Sequence, residues 1–390
     1  RSIAPEIFGM EDVKKALLLQ LVGGATRKLN DGMKIRGDVN ICLMGDPGVA
    51  KSQLLKHMST VSPRSVYTTG KGSSGVGLTA AVSRDKITGE ITLEGGALVL
   101  ADMGICCIDE FDKMEEADRT AIHEVMEQQT VSIAKAGVTT TLNARTSILA
   151  AANPIYGRYN KRYSPSENIN LPAALLSRFD LMFLLLDVPN VEYDTNLANH
   201  VTHVHRYKKH PELDFEPLSP AFIRAYVSQA KNVEPYVPEE LQNIIVEEYV
   251  SMRQEDASDA KAAGAQALVT ARQLLSVLRM AQALARLRFD EEISHSDVTE
   301  AIRLMKASKA SLEDDENNSG ANGTDIVTRI YGIIRDLMPE SGVLKYSELE
   351  PVCLAKGFTT NHLERCLDEY EQLNVLQVNA ARTKITFVET

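Results

Sequence analysis

The sequence predicts an α/β protein: a three-layer sheet domain, then a helical domain, then a small terminal unit of helices and a β-hairpin. Three observations carry this. The apolar run Val39-Asn40-Ile41-Cys42-Leu43-Met44 leads into the glycine-bearing turn Gly45-Asp46-Pro47-Gly48-Val49-Ala50, and Lys51-Ser52-Gln53 then opens an amphipathic helix. Further along, Gly104-Ile105-Cys106-Cys107-Ile108 is a second apolar strand that ends on two carboxylates, Asp109-Glu110. Apolar strands alternate with helices to about residue 188, after which the pattern is almost wholly helical.

The first stretch has the form of a phosphate-binding loop. Backbone N–H groups of such a turn and of the helix start point at an anion, the lysine reaches the outer phosphates, and the hydroxyl of Ser52 is placed for Mg²⁺. The general pattern has glycine where this chain has Ala50. The strand ending in Asp109 is expected to run parallel to and beside the phosphate-loop strand, which brings Asp109 to the Mg²⁺ shell and leaves Glu110 to polarise an attacking water. Alone, that run would read as a capped strand end; after a phosphate loop it indicates nucleoside triphosphate hydrolysis.

Composition sets the limits. The chain has 390 residues, 44% hydrophobic and 24% charged, enough for two or three domains with their own cores. No apolar run approaches the ~20 residues of a membrane span. The net charge of −11, from 42 basic and 53 acidic residues, argues against a general polyanion-binding surface, so any nucleic-acid contact has to be local. None of the five cysteines has metal-ligand spacing, and they read as reduced and structural. The chain opens on Arg1, which suggests a fragment or processed piece.

Taken in order, a helix is expected over about 11–22, with Val13, Leu17, Leu18 and Leu21 on one face and Gly23-Gly24 as its stop. A short strand, Val66 to Thr69, precedes the stretch 70–77, which is too glycine-rich for regular structure. Two β-hairpins follow, at about 78–94 and 131–145, the second with Lys135 at its tip. Ser147 to Ala152 reads as a buried strand; Asn153, at its end, either starts a turn or bonds a γ-phosphate or the attacking water. Tyr156 to Asn168 is a polar, basic loop. Leu171 to Asp180 makes a short helix and a turn before the strand Leu181 to Leu186. Helices are expected at about 194–207, 220–231, 238–254, 270–287 and 296–307. The fourth has Arg272 in its first turn, where a cation opposes the helix dipole. Residues 311–324 are acidic and rich in Asn and Gly, an expected flexible linker. Beyond them, three helices and a terminal hairpin suggest a winged helix that binds DNA or protein. His203, His205 and His210 lack convincing metal geometry and read as solvated.

The motifs Gly45-Asp46-Pro47-Gly48-Val49-Ala50-Lys51-Ser52, Ile108-Asp109-Glu110-Phe111-Asp112-Lys113-Met114, Ala151-Ala152-Asn153-Pro154 and Ser177-Arg178-Phe179-Asp180, in this order, resemble those of the minichromosome maintenance (MCM) replicative helicases. Ala50 matches that family's variant of the loop. The flanking wording Ser2-Ile3-Ala4-Pro5-Glu6-Ile7, Ala134-Lys135-Ala136-Gly137 and Asn170-Leu171-Pro172-Ala173-Ala174-Leu175 is similar to one subunit of the eukaryotic six-subunit ring. The resemblance is close to about residue 310 and looser beyond. The family's N-terminal DNA-binding domain, with its zinc module, is not expected in this chain.

The resemblance implies an AAA+ ATPase core over 1–190 with two channel hairpins, a helical lid over 191–310, the linker, and a winged helix over 325–390. It implies that Gly45 to Gln53 hold ATP, with Lys51 on phosphate and Ser52 and Asp109 on Mg²⁺. Glu110 would activate water and Asn153 would position it. Arg178, as arginine finger, and Arg272, as second sensor, would act in trans on a neighbour's ATP. Lys135 would contact the DNA backbone. The implied partners are the other five MCM subunits of a hetero-hexameric ring, origin and replisome factors, and single- and double-stranded DNA in the channel. The implied location is the nucleus and chromatin, with no membrane. Two alternatives stay open: a mainly structural or regulatory ring subunit with low turnover, and another hairpin-bearing AAA+ class. No activator-type Gly-Ala-Phe-Thr-Gly-Ala loop is present, which disfavours the last.

Overall fold

The computed structural model describes residues 2–28, 30, 32, 34–71, 75–84, 91–135, 138–155, 157–159, 168–169, 171–187, 189–207, 217–263 and 271–320, and beyond these 334, 343–346, 349, 367, 376–378 and 384–387. The chain divides into two units, Arg1–Leu312 and Glu313–Thr390.

The first unit is built on five parallel strands: β1 (Ile41–Gly45), β2 (Ser65–Thr69), β5 (Ile105–Asp109), β8 (Ser147–Ala152) and β9 (Leu181–Leu185), in the order β9-β1-β8-β5-β2. Two antiparallel pairs stand apart from it: β3 (Ala80–Arg84) with β4 (Ile91–Gly95), and β6 (Thr130–Lys135) with β7 (Val138–Asn143). These are the two expected hairpins.

The strands read as continuous apolar runs because both faces are covered. Side chains of successive residues point to opposite faces. Ile41, Leu43, Cys107, Leu149 and Ala151 therefore join one core, with α1 (Glu11–Val22) and α2 (Lys51–Val61). Cys42, Met44, Cys106, Ile108, Ile148 and Ala150 join the other, with α3 (Glu116–Gln128) and the bases of the second hairpin. Cys42, Cys106 and Cys107 are buried thiols, and burial pushes all three well above the usual thiol range. Together these make the three-layer sandwich.

The helical part contains α4 (Val191–Tyr207), α5 (Pro220–Ala230), α6 (Glu239–Ala263), α7 (Ala271–Arg288) and α8 (His295–Gly320). Its packing against the sheet core is specific. α1 stops at Gly23 with φ +66°, and Arg286 of α7 donates to the carbonyls of Gly23 at 3.0 Å and Gly24 at 2.9 Å. A cation thus satisfies carbonyls left open at a helix C-terminus. The edge strand β9 is covered by α8: Ser308 Oγ accepts from Met182 N at 3.0 Å, and Ser311 Oγ accepts from Leu184 N at 3.2 Å.

Two expectations change. The stretch 70–77 is not wholly irregular, since Gly75–Leu78 makes one helical turn, with Leu78 fully buried in the second core. The acidic stretch expected to be a linker is helical as far as Gly320: Ser311 is tied to β9 and Leu312 packs on the second core, and α8 runs on beyond them even though Asp, Asn and Ser there have low helix propensity. Residues 321–324 lie outside the described residues.

In the second unit, β10 (Val343–Lys345), β11 (Leu376–Val378) and β12 (Lys384–Phe387) form an antiparallel sheet ordered β10-β12-β11. The terminal hairpin is as expected, and β10 is an additional strand. Ile334, Leu349 and Leu367 are buried there, while most of the three expected helices lie outside the described residues.

Candidate ATP site

The phosphate loop is shaped by three residues with positive φ. Gly45, the last residue of β1, has φ +139°, and a Cβ there would lie 1.9 Å from Leu185 O of β9. Gly48 has φ +94°. Ala50 has φ +60° and ψ 18°, a left-handed conformation that costs an L-residue roughly 1–2 kcal/mol. That conformation is why glycine is general at this position.

Lys51 begins α2 and is buried; its Nζ donates to Gly45 O at 2.7 Å and Asp46 O at 2.6 Å. Burial pushes the Lys51 ammonium down to about 8, against the opposing pull of Asp46, Asp109 and Asp112. Asp46 anchors the loop, accepting from Tyr159 N at 2.9 Å through Oδ1 and from Asp187 N at 3.3 Å through Oδ2. Ser52 and Gln53 follow in the first turn of α2.

Asp109 ends β5. The strand is parallel to β1, as expected, but not beside it: β8 lies between the two. The expectation of adjacency is corrected: an apolar run shows that a strand is buried on both faces but not which strand it pairs with, and here β8 pairs with both. That pairing brings Asn153, which follows β8, out between the two chemical strands. Lys51, Asn153 and Asp109 thus follow the C-terminal ends of three adjacent parallel strands, the position at which open α/β sheets bind ligands.

Asp109 is buried and accepts from Tyr67 Oη at 2.8 Å and from Glu110 N at 2.9 Å. Glu110 has φ +51°, a second left-handed non-glycine residue, and its carboxylate holds Lys113 Nζ at 2.8 Å. Asp112 Oδ1 accepts from Asn153 N at 3.0 Å, tying the end of β8 to the turn after β5. The oxygen donors here, a buried carboxylate and the Ser52 hydroxyl at a helix N-terminus, are hard ligands that fit Mg²⁺.

Arg178 and Arg272 are elsewhere. Arg178 lies just before the N-terminal end of β9, which pairs with β1 from Leu181↔Ile41 to Leu185↔Gly45. The loop follows the other end of the same pairing, about five residues and roughly 15 Å away along the strand. Arg178 Nε donates to Glu127 Oε2 at 3.1 Å, and Arg272 Nη2 donates to the same oxygen at 3.0 Å. The structure therefore separates the expected site residues into two groups on opposite ends of the sheet.

Residues 1–205 match the family described as MCM P-loop domain. The chain belongs to the MCM family. Residues 221–309 match the MCM AAA-lid domain, and residues 328–388 match a winged helix described as that of DNA replication licensing factor MCM7. The MCM chain is 59% identical over its whole length to the DNA replication licensing factor mcm7 of Schizosaccharomyces pombe, covering 52% of that protein. It is also 59% identical over its whole length to MCM7 of Arabidopsis thaliana, covering 54% of it, and 47% identical over 80% of its length to the MCM6 of the same plant, covering 37%. The chain spans about half the length of the MCM7 relatives it matches. The wording around the motifs is likewise similar to that of subunit seven of the eukaryotic six-subunit ring, in line with these relatives.

Within the MCM chain, Lys135 is the last residue of β6, paired with Val138 of β7; residues 136–137 lie outside the described ones. Among the described residues no group of His, Cys, Asp or Glu could hold a metal ion by itself, and no helix is long and apolar enough to cross a membrane. His210 lies outside the described residues. Three residues were not legible as site residues: Tyr67, Asp112 and Glu127. Tyr67 sits in a short strand with no local signal, and its partner is 42 positions away. Glu127 is one of several acidic residues on a helix, indistinguishable there from a solvated face.

Proposed function

We propose that this MCM chain is an ATP-hydrolysing subunit of a hexameric ring that encircles and unwinds DNA during replication, with each ATP site shared between adjacent subunits. The observation that carries the reading is the separation just described: the loop, Asp109, Glu110 and Asn153 occupy one end of the sheet, and Arg178 and Arg272 the other. A chain that cannot bring its own arginines to its own phosphates needs a second chain.

In this reading the amides of Gly45 to Gln53 and Lys51 bind the phosphates of ATP, and Ser52 and Asp109 hold Mg²⁺, which neutralises charge on the phosphate oxygens. Glu110 orients and deprotonates the attacking water, and Asn153 fixes its position. Arg178 and Arg272 offset the charge that develops on a neighbour's transferred phosphoryl group, a contribution worth ~10³–10⁵ in rate for an arginine finger. Making and breaking that contact moves one subunit against the next and carries the two hairpins with it. Lys135 contacts the DNA backbone, which reads no sequence. The partners are the other five MCM subunits, origin and replisome factors, and single- and double-stranded DNA; the setting is the nucleus and chromatin.

The test is ATP turnover of the purified chain alone and with the other five subunits, repeated with Lys51→Ala and Arg178→Ala. Low activity alone, strong activation on assembly, and loss with Arg178→Ala despite an intact phosphate loop are expected. Full turnover by the isolated chain, insensitive to Arg178→Ala, would overturn the shared site and leave a self-contained ATPase.

A further inference from the structure

We infer that Glu127 is a positioning residue, whose carboxylate holds one arginine of the sheet domain and one of the lid at a single point so that a neighbour's triphosphate meets both together. This rests on the proposal that Arg178 and Arg272 serve a neighbouring subunit's ATP.

Arg178 and Arg272 are far apart in sequence and come from different parts of the fold. Two guanidinium groups repel unless an anion lies between them. Glu127, near the C-terminus of α3, is that anion: Oε2 takes Arg178 Nε at 3.1 Å and Arg272 Nη2 at 3.0 Å, and Oε1 is 3.3 Å from Arg272 Nη2. The backs of both arginines are also held. Arg178 Nη1 donates to Ala174 O at 2.8 Å, and Arg272 Nη1 donates to Ser177 Oγ, next to Arg178, at 3.4 Å.

The support behind this point is a buried lock. Arg272, Ser276 and Arg279 are spaced to share one face of α7. Ser276 Oγ and Arg279 Nη1 each donate to Asp180 Oδ1 at 2.5 Å, and Asn40 N donates to Oδ2 at 2.8 Å. The turn carrying Arg178 is thereby fastened to the helix carrying Arg272, and both to the start of β1.

Exposure separates the two clusters. Asp180 and Arg279 side chains are 2% and 9% exposed, whereas Glu127 and Arg272 are 51% and 42% exposed. Solvated ion pairs of the second kind add little to stability. Glu127 therefore contributes little to the fold, and what it sets is where two surface cations stand. Because the contact is solvated, it is also weak enough for an arriving polyphosphate to take over. His123, one turn back on α3, is pushed towards its neutral form by burial and by the charge of Arg178, against the opposing pull of Glu127.

The test uses the full-length protein paired in turn with each other ring subunit, with its own loop silenced by Lys51→Ala so that it contributes only its arginines. The informative pairing is the one whose turnover depends on Arg178. There Glu127→Gln is expected to lower kcat about ten- to a hundredfold, the cost of a misplaced catalytic group, with KM changed by less than about threefold. Glu127→Asp, which keeps the charge with a shorter reach, should fall between parent and Gln variant. In an Arg178→Ala/Arg272→Ala background Glu127→Gln should cause no further loss of the residual turnover, and thermal midpoints should match the parent's. Unchanged kcat in Glu127→Gln alone, or an equal loss in the background lacking both arginines, overturns the positioning role while leaving the shared site intact. If no pairing responds to Arg178→Ala, the shared site fails, and the role of Glu127 with it.

Discussion

At the scale of single residues, the loop stores its tension in Ala50 and its electrostatic potential in Lys51. Lys51 is buried among backbone carbonyls, and its ammonium is pushed down to about 8 from the ordinary 10.5. The unfolded chain holds more protons than the folded one between those values, so the Lys51 contribution to stability rises with pH from about 8 to about 10.5. Below about 8 both states carry the charge, and the full cost of burying it applies. A phosphate against Nζ restores the charged form. Nucleotide binding is therefore expected to take up more protons at about pH 8.5 than at about pH 7, as read by calorimetry in buffers of different ionisation enthalpy. Equal uptake at both would show that the ammonium is already charged in the free loop.

At the scale of elements, Asp180 is where sheet and lid are joined. It accepts from β1's approach at Asn40 and from Ser276 and Arg279 of α7, and it lies two residues from Arg178. Asp180→Ala would leave Arg279 buried with its carboxylate removed, a loss of ~3–5 kcal/mol for a broken buried pair. Denaturant unfolding should read that loss as a fall in midpoint. A cost below about 1 kcal/mol, the range of exposed pairs, would mean the lock is not one. The motifs at 45–52, 108–114 and 177–180 were legible as sequence because each is short and its chemistry is local. Glu127 was not, because its two partners lie 51 and 145 positions away and nothing on α3 distinguishes it from Glu116 or Glu124.

At the scale of the molecule, the first unit ends where α8 stops covering the sheet edge. Ser308 and Ser311 occupy backbone N–H groups of β9 that no further strand takes. A chain ending at Leu312 is expected to keep nucleotide binding and its thermal transition. One ending at Lys306 loses both hydroxyl caps and the Leu312 packing, and should be less stable by ~1–3 kcal/mol. Equal stability of the two truncations would show that the edge needs no cover. The same arrangement accounts for the acidic stretch being helical to Gly320 rather than a linker: its first residues have tertiary work in the first unit.

The phosphate loop, the carboxylate-tipped strand, the two hairpins, the helical lid and the family were legible along the chain. Each of these depends on near neighbours along the chain: positive-φ turns, apolar runs and helical spacing. Only the packed fold shows that β8 stands between β1 and β5, that Asp109 is held by Tyr67, and that the arginines gather on Glu127 at the far end of the sheet from Lys51. Apolar periodicity reports that a strand is buried but not which strand lies beside it. Strand order is settled by how all the layers pack at once, and the parallel pairing of β9 with β1 is what places Arg178 and the phosphate loop at opposite ends of the sheet.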